Sequence, residues 1–266
     1  MKKCLSIAGS DCSGGAGIQA DLKSFSANGV FGMSVITSVV AENTSRVISV
    51  FNVPEDEIKK QIDAVFEDIH VDGVKLGMLP TCEIISAVSE KLNQYKPPVI
   101  VCDPVMVATS GDSLSEDGTV NALKKNLFPA IDLLTPNIPE AEAISGIKIN
   151  TVDDMEKAAD LIIKMGVKNV LIKGGHLTDS ADDVLFTPSQ KHIITGEKID
   201  SQNTHGTGCT LSSAITANLA NGMSMFDAVK TAKEYITEAI RKSFVVGKGH
   251  SPVNHFYDYY MMKGIK

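Results

Sequence analysis

The sequence predicts an α/β fold in which a mostly parallel sheet carries helices on both faces. Short runs of β-branched and other apolar residues alternate with amphipathic stretches of helical periodicity along the 266 residues. This alternation is typical of βαβ units. The chain has no internal repeat, low-complexity tract or long linker, so we expect a single domain over residues 1–266.

The strand candidates are short and rich in β-branched residues. They cover residues 5–8, 34–40, 73–77, 99–102, 133–135 and 170–173. The helix candidates cover residues 17–28, 54–69, 83–95, 114–127, 152–165, 209–220 and 226–244. Residues 183–194 are typical of a hairpin, and we expect residues 46–53 to add short strands outside the main sheet as a small β flap over the site.

The composition excludes several classes of protein. The net charge of −7, and 5% aromatic residues without tryptophan, argue against a nucleic-acid partner. The five cysteines are odd in number and include no C-x-x-C pair, so neither a disulfide framework nor a zinc site is indicated. The first apolar run is too short for a signal peptide, and no stretch is long enough to cross a bilayer. We therefore expect a cytoplasmic protein with a small anionic ligand and no membrane partner.

The segment His-Gly-Thr-Gly-Cys at residues 205–209 opens an apolar helix candidate. Unpaired backbone N–H groups at a helix start bind phosphates and oxyanions, so Gly206, Thr207 and Gly208 are candidates for an anion-binding hole. The helix dipole favours the thiolate of a cysteine in this position, which makes Cys209 a candidate proton acceptor or nucleophile. A plain core position is the structural alternative for Cys209. The segment alone fits phosphoryl transfer and acyl transfer equally well.

Polar residues follow several strand candidates, and the carboxyl ends of parallel strands are where ligands gather in an open α/β sheet. Asp103 and Glu140 are candidates for Mg²⁺, and Lys173 is a candidate for phosphate contact. Each has a structural alternative: Asp103 as a turn former, Asn137 as a helix cap with Glu140 in the first turn, and Lys173 as a solvated side chain.

A glycine-rich segment precedes the first helix candidate. Gly15-x-Gly17-x-x-Ala20 fits the loose dinucleotide-binding fingerprint, and the acidic Glu42 ends the next strand. The fingerprint requires its first glycine directly after the strand, whereas residues 11–14 intervene here. No Lys-Ser or Lys-Thr follows, so the segment is not a P-loop. The segment is then either a flexible turn before a helix or a loop that brings backbone close to a ligand.

Seven segments taken together resemble the hydroxymethylpyrimidine/phosphomethylpyrimidine kinases of thiamine biosynthesis, within the ribokinase-like superfamily. They are residues 7–23, 41–44, 75–79, 103–106, 135–140, 173–176 and 203–210. The resemblance implies a three-layer αβα fold, Mg²⁺ and ATP as the phosphoryl donor, and a homodimer. It also implies phosphorylation of 4-amino-5-hydroxymethyl-2-methylpyrimidine on its hydroxymethyl group, followed by a second phosphorylation to the diphosphate.

The resemblance assigns roles to individual residues. Gly206, Thr207 and Gly208 would hold the transferring phosphoryl group, and Cys209 would be the general base where most of the superfamily carries aspartate. The residues expected to line the pyrimidine pocket are Ala16, Asp21, Glu42, Met78 and Val105. The residues expected to face the metal are Asp103 and Glu140, and those expected to face the nucleotide phosphates are Asn137 and Lys173.

Two features distinguish this sequence within the resemblance. Glu42 stands where relatives often have glutamine, which leaves the protonation state of the pocket open. The loop at residues 107–111 lacks the second cysteine of related pyridoxal kinases, which favours the pyrimidine substrate. The alternatives are a pyridoxal or pyridoxine kinase on the same fold, a thiol-dependent hydrolase with a histidine base such as His176, His205, His250 or His255, and a non-catalytic pyrimidine-binding protein.

Overall fold

The structure is a computed structural model that describes residues 1–106, 114, 116–174 and 181–265. Within these residues, nine strands form one sheet in the order β3-β2-β1-β4-β5-β6-β7-β8-β9. The strands are β1 (Lys3–Asp11), β2 (Phe31–Asn43), β3 (Arg46–Asn52), β4 (Gly73–Leu76), β5 (Ile100–Cys102), β6 (Leu133–Leu134), β7 (Val170–Ile172), β8 (Asp183–Phe186) and β9 (Lys191–Ile194). The run from β2 to β7 is parallel, and antiparallel pairs close both edges.

Helices cover both faces of the sheet. They are α1 (Gly17–Ala27), α2 (Glu55–Phe66), α3 (Cys82–Tyr95), α4 (Thr119–Ala122), α5 (Ile138–Ser145), α6 (Val152–Lys164), α7 (Thr207–Ala220), α8 (Met225–Arg241) and α9 (Tyr257–Met262). Among the residues described, none of these helices combines the length and hydrophobicity that a membrane crossing needs.

Alternating side chains of β5 show how the sheet separates two apolar layers. Ile100 and Cys102 pack into one core cluster with residues of α2, α3 and α6. Val101, between them, packs into a second cluster with residues of α7 and α8. Because successive side chains of a strand point to opposite faces, the sheet is the middle of three layers. This confirms the predicted αβα architecture.

Side-chain caps fix where several helices begin. Thr81 precedes α3, and its hydroxyl oxygen accepts a hydrogen bond from the Ile84 N–H at 3.2 Å. Thr151 and Asp154 form a reciprocal capping box at the start of α6. Each cap satisfies N–H groups that have no partner inside the helix.

The fold corrects three details of the prediction. The helix expected over residues 114–127 begins only at Thr119, because Gly118 has a φ of 89° and breaks the helical path, and it continues as a π-helical turn at Leu123–Leu127. The strand β3 does not lie outside the main sheet but is its antiparallel edge strand, paired with β2. The helices α5 and α9, of eight and six residues, are too short to show a helical period in the sequence. The hairpin predicted over residues 183–194 is confirmed.

A pair of matched substitutions tests the position of the core. Ile7 of β1 is fully buried, whereas Ile48 of β3 is 62% exposed. We expect Ile7→Ala to lower the free energy of unfolding by about 2–5 kcal/mol, because it leaves a cavity in the central strand. Ile48→Ala should change it by no more than about 0.5 kcal/mol. Urea unfolding of both variants measures the difference, and equal losses would contradict this placement of the core.

Candidate active site

The N-terminus of α7 lies against the loop that follows β1. Gly206 caps the helix with a φ of 77°, and a Cβ at this position would overlap the carbonyl oxygen of Gly15. Both the backbone conformation and the close approach therefore require glycine. Within the helix, the first N–H bonded to a carbonyl four residues back is that of Thr210. The N–H groups of Gly208 and Cys209 precede it and are directed out of the helix start.

The carboxylate of Asp11 holds this loop and the start of α7 together. It accepts hydrogen bonds from the backbone N–H groups of Ser13 at 2.7 Å, Gly15 at 2.9 Å and Ala16 at 2.7 Å. It also lies 2.9 Å from Nε2 of His205, and both side chains are buried. Burial by itself raises the pKa of Asp11, but the hydrogen bonds from His205 and Ser13 outweigh it and hold the pKa well below its usual range. Asp11 is therefore an ionised anchor.

A C-terminal segment braces the other side of the same helix start. The His205 N–H donates to the carbonyl oxygen of Ser251 at 3.2 Å. Nε2 of His255 lies 3.0 Å from the Thr210 hydroxyl, and the Tyr235 hydroxyl donates to the His255 carbonyl oxygen at 2.9 Å. Burial lowers the pKa of His255 to about 3, so His255 is neutral near pH 7 and acts as a structural contact.

Asp103 and Lys173 form an ion pair in front of α7. The Lys173 Nζ lies 2.8 Å from Oδ1 of Asp103, and their side chains are 15% and 3% exposed. A Cβ on Gly208 would stand 2.9 Å from Oδ2 of Asp103 and 3.4 Å from the Lys173 Nζ. The strand ends of β5 and β7 thus bring a carboxylate and an ammonium to the outward N–H groups of α7. This is the meeting of residues that the strand-end pattern predicts.

Asn137 and Glu140 form the capping box of α5. The Asn137 side-chain oxygen accepts from the Glu140 N–H at 2.9 Å, and the Glu140 carboxylate accepts from the Asn137 N–H at 2.8 Å. The helix-cap alternative for Asn137 is therefore confirmed. Burial raises the pKa of Glu140 to about 7, Lys173 opposes this, and the negative charge of Asp103 adds to it. Glu140 is thus an acid whose burial keeps it partly protonated near neutral pH.

Four residues expected in the pyrimidine pocket lie near the same edge of the sheet. Ala16 joins the Asp11 anchor through its N–H. Glu42 is half-buried beside a register shift of β2, and its pKa is raised to about 7 by burial and by Asp11, with His205 opposing. The Met78 sulfur would lie 3.0 Å from a Cβ on Gly9. Val105 lines a small cleft that follows Asp103. Of these four, Glu42 carries the group that can change charge near neutral pH.

Asp21 does not fit its expected place in the pocket. Its side chain is fully buried, and both carboxylate oxygens lie within 2.9 Å of the Nζ of Lys75. The hydroxyls of Ser6 and Ser213 donate to the same carboxylate at 2.5 and 2.8 Å. With its oxygens already bonded inside the protein, Asp21 supports the site from beneath instead of lining it.

The thiol of Cys209 is half-buried at the start of α7. Burial raises its pKa to about 11, and the positive charge of Lys75 and a hydrogen bond from the Gly17 N–H offset this only in part. The expectation that the helix dipole yields a thiolate is therefore wrong for the ligand-free protein, because burial is the larger effect. Cys209 is a protonated thiol at neutral pH.

Among the described residues, Asp11, Glu42 and His205 form a cluster whose ligand-type atoms lie within 4.8 Å of one another. One Asp11 oxygen already receives the N–H groups of Gly15 and Ala16 and faces the His205 ring. The Asp11 and His205 side chains of the cluster are therefore already engaged in hydrogen bonds. The loop at residues 107–111, which bears on the pyridoxal alternative, and His176 lie outside the described residues.

The sequence that forms this site matches the model of a known protein family. The model for phosphomethylpyrimidine kinase matches residues 11–254, from the Asp11 anchor to the segment that braces α7. The chain belongs to this family. The resemblance drawn from the seven sequence segments is thereby confirmed.

Individual members of the family match over most of the chain. The hydroxymethylpyrimidine/phosphomethylpyrimidine kinase of Bacillus subtilis is 45% identical over 256 residues, which cover 96% of this chain and 94% of that protein. The thiamine biosynthesis bifunctional protein ThiED of Geobacter sulfurreducens is 48% identical over 252 residues, and this chain spans only about half (51%) of its length.

A solved structure extends the likeness to a kinase of another vitamin. The pyridoxal kinase of Staphylococcus aureus in complex with AMP-PCP and pyridoxal is 37% identical, with a TM-score of 0.88 over 96% of this chain and 94% of that one.

Sequence reasoning assigned no individual role to Asp11 or Lys75. Asp11 ends the first strand in the same way that Asp103 ends a later one, so its position was a usable signal. Its partner His205 is 194 residues away, and no local pattern connects the two. Lys75 lies inside an apolar strand, where a lysine that is fully buried needs a partner. That requirement could have directed attention to it.

The Asp11 anchor is tested by removing its carboxylate. We expect Asp11→Ala to lower the free energy of unfolding by about 2–5 kcal/mol, because several buried donors lose their acceptor together. Asp68→Ala, at an exposed aspartate of similar chemistry, should stay within about 0.5 kcal/mol of the wild type. Urea unfolding measures both variants. A stability of Asp11→Ala equal to that of Asp68→Ala would show that the anchor is not required.

Proposed function

We propose that this protein is an ATP-dependent kinase that phosphorylates 4-amino-5-hydroxymethyl-2-methylpyrimidine and then converts the monophosphate to the diphosphate, for thiamine biosynthesis. The observation that carries the proposal is the meeting of Asp103, Lys173 and the start of α7 beside Cys209. Acyl transfer would need the thiol and the anion hole but not this carboxylate and ammonium. Membership of the phosphomethylpyrimidine kinase family supports the same conclusion.

The start of α7 is suited to hold the transferring phosphoryl group. The outward N–H groups of Gly208 and Cys209 point at a site that favours negative charge. Lys173 adds a positive charge near Gly208. Gly206 allows the tight turn that aims these groups. Phosphoryl transfer proceeds through a loose transition state, in which positioning and charge neutralisation supply most of the catalysis.

The residues at the strand ends fit a divalent cation and the nucleotide phosphates. Mg²⁺ prefers carboxylate oxygens, and Asp103 and Glu140 are two buried carboxylates that follow the neighbouring strands β5 and β6. Asp103 and Glu140 would hold the ion, which supplies neutralisation of the phosphate charge. Asn137 and Lys173 would contact the nucleotide. ATP as donor is supported by the related pyridoxal kinase, which was solved with AMP-PCP.

Glu42 is placed to recognise the aminopyrimidine ring. A neutral carboxyl group offers one donor and one acceptor, which match the ring nitrogen and the exocyclic amine of the substrate. Ala16, Met78 and Val105 would complete the pocket. Because the pKa of Glu42 is raised to about 7, the neutral form is available near neutral pH.

Cys209 is proposed as the group that accepts the proton of the substrate hydroxyl. The ligand-free thiol is protonated, so it must lose its proton before it can act as a base. The positive charge of a divalent cation held by Asp103 and Glu140 would favour the thiolate. In a loose transition state the proton of the hydroxyl leaves late, so a weak base is sufficient.

A coupled assay tests the activity itself. Full-length protein with Mg²⁺ and ATP should produce ADP when the hydroxymethylpyrimidine is added, with mono- and diphosphate products seen by mass spectrometry. Absence of turnover would overturn the proposal. ADP formation that depends on pyridoxal, at equal concentration, would favour the second candidate, a pyridoxal kinase, which the likeness to the S. aureus structure makes worth testing.

Cys209→Ala separates chemistry from binding. We expect turnover to fall by about 10²–10⁴-fold through loss of the base, with the Kd for ATP analogues unchanged. Cys82, which is the first residue of α3 and lies outside the site, gives the matched control Cys82→Ala, with kcat unchanged. Wild-type turnover in Cys209→Ala would show that the thiol is not the base.

Glu42→Gln tests the charge state of the pocket. In the wild type, KM for the pyrimidine should rise about tenfold as pH increases through 7, because the ionised carboxylate cannot donate to the ring nitrogen. Glutamine keeps a donor and an acceptor at all pH values, so this rise should vanish in the variant. KM measured between pH 6 and 8.5 for both proteins checks it. A pH-independent KM in the wild type would assign Glu42 another role.

Two further expectations, one from the resemblance and one from the sequence composition, stay predictions. They are the homodimer and the cytoplasmic location. Light scattering of the purified protein measures the first.

A further inference from the structure

A fully buried ion pair lies beneath the site. The Nζ of Lys75 is 2.8 and 2.9 Å from the two carboxylate oxygens of Asp21, and both side chains are 0% exposed. Hydroxyls of Ser6 and Ser213 complete the contacts of the Asp21 carboxylate. Among the ion pairs that lysine and arginine form within the described residues, this pair has two fully buried side chains, whereas the others each have at least one that is partly exposed.

The ion pair lies one helical turn from Cys209. Ser213, which donates to Asp21, follows Cys209 by four residues in α7, so the two side chains share one face of the helix. Lys75 of β4 is in register with Ser6 of β1, on the face of the sheet that α7 covers. A Cβ on Gly77 would lie 2.8 Å from the Lys75 Nζ. The ammonium therefore lies close to the strand ends that surround the thiol.

Stability alone does not explain this pair. Taking two charges out of water costs more than their attraction commonly returns, and an apolar pair of similar volume often serves the fold equally well. A buried lysine and aspartate at this place therefore call for a second role. The group next to them whose charge matters for the proposed reaction is Cys209.

We propose that Lys75 is a positioning residue that sets the charge state of the Cys209 thiol from beneath, with Asp21 as the opposing charge. The proposal rests on the proposed function only in taking Cys209 as the catalytic thiol. Lys75 stabilises a negative sulfur, and Asp21 limits that effect while it holds the lysine in place.

The charged groups around the thiol act in opposite directions. Burial raises the pKa of Cys209, Lys75 lowers it, and Asp21 and Asp103 raise it, while the N–H of Gly17 at the start of α1 donates to the sulfur and lowers it. The other titratable side chains on neighbouring elements have partners of their own. Lys173 is paired with Asp103, Lys23 donates to the Gly14 carbonyl oxygen, and the neutral His255 contacts the Thr210 hydroxyl. Removal of Lys75 and removal of Asp21 are thus expected to change the pKa of Cys209 in opposite directions.

The test is the alkylation rate of Cys209 by iodoacetamide in the ligand-free full-length protein, read from the Cys209 peptide by mass spectrometry between pH 7 and 9.5. Below the pKa the rate follows the thiolate fraction. A change of one in the pKa of the thiol changes the rate by about threefold, because the tenfold change in thiolate fraction is partly offset by the lower nucleophilicity of a less basic thiolate. We expect Lys75→Met to slow alkylation by about threefold or more, and Asp21→Asn to accelerate it by a similar factor.

A purely structural role predicts a different outcome. Damage to the fold would expose the thiol and accelerate alkylation in both variants, together with alkylation of Cys4, which is fully buried in the folded protein and serves as an internal measure of unfolding. Lys91→Met, which breaks the Lys91–Asp63 pair between α3 and α2, should leave the Cys209 rate unchanged. Equal rates, or changes of the same sign in both variants, would overturn the proposal.

A further comparison remains decisive if Lys75→Met fails to fold. The double variant Lys75→Met/Asp21→Asn removes both buried charges, so it avoids an unpaired carboxylate. Relative to Asp21→Asn alone, it should alkylate more slowly at Cys209. A rate equal to that of Asp21→Asn would overturn the proposal. These measurements need neither ATP nor pyrimidine, so their failure is distinguishable from a failure of the kinase assay.

Discussion

The carboxylate of Asp11 joins two glycine-rich loops that are remote in sequence. It binds the N–H groups of the loop after β1 and the ring of His205 directly before α7. Because β1 lies between β2 and β4 in the sheet, this anchor is attached to a rigid strand with neighbours on both sides. The close packing of Gly206 on Gly15, and with it the aim of the α7 N–H groups, depends on this one ionised side chain.

Charge is distributed unevenly around that frame. Asp21, Asp103 and Glu140 are buried carboxylates, and Lys75 and Lys173 are the lysines paired with two of them. The remaining acid, Glu140, responds by holding its proton to higher pH, and the thiol of Cys209 does the same. At neutral pH the thiol of Cys209 is therefore protonated and Glu140 is partly protonated, and added positive charge would favour the ionised form of each. The site is built to respond to the charge of its ligands.

The strand-and-helix alternation predicted most of the fold, and the polar strand ends predicted the meeting of Asp103, Lys173 and the α7 start. Both depend on short stretches of sequence and on a general rule about parallel sheets. The prediction was weaker where partners are distant. Asp21 looks like a pocket residue until Lys75, 54 positions away, is seen to hold it inside. Local chemistry also misled for Cys209, because a helix start favours the thiolate while burial, which depends on the whole fold, disfavours it.

The brace formed by Ser251 and His255 has a consequence for how the protein is made. His205 and Thr210 reach their final contacts only when this C-terminal segment packs against them. A chain growing on the ribosome can complete β1, α1 and most of the sheet long before residue 255 has emerged. The start of α7 thus belongs to the last part of the molecule to become ordered, since contacts so far apart in sequence form late. Until then the nascent protein holds most of its core but none of its finished anion-binding site.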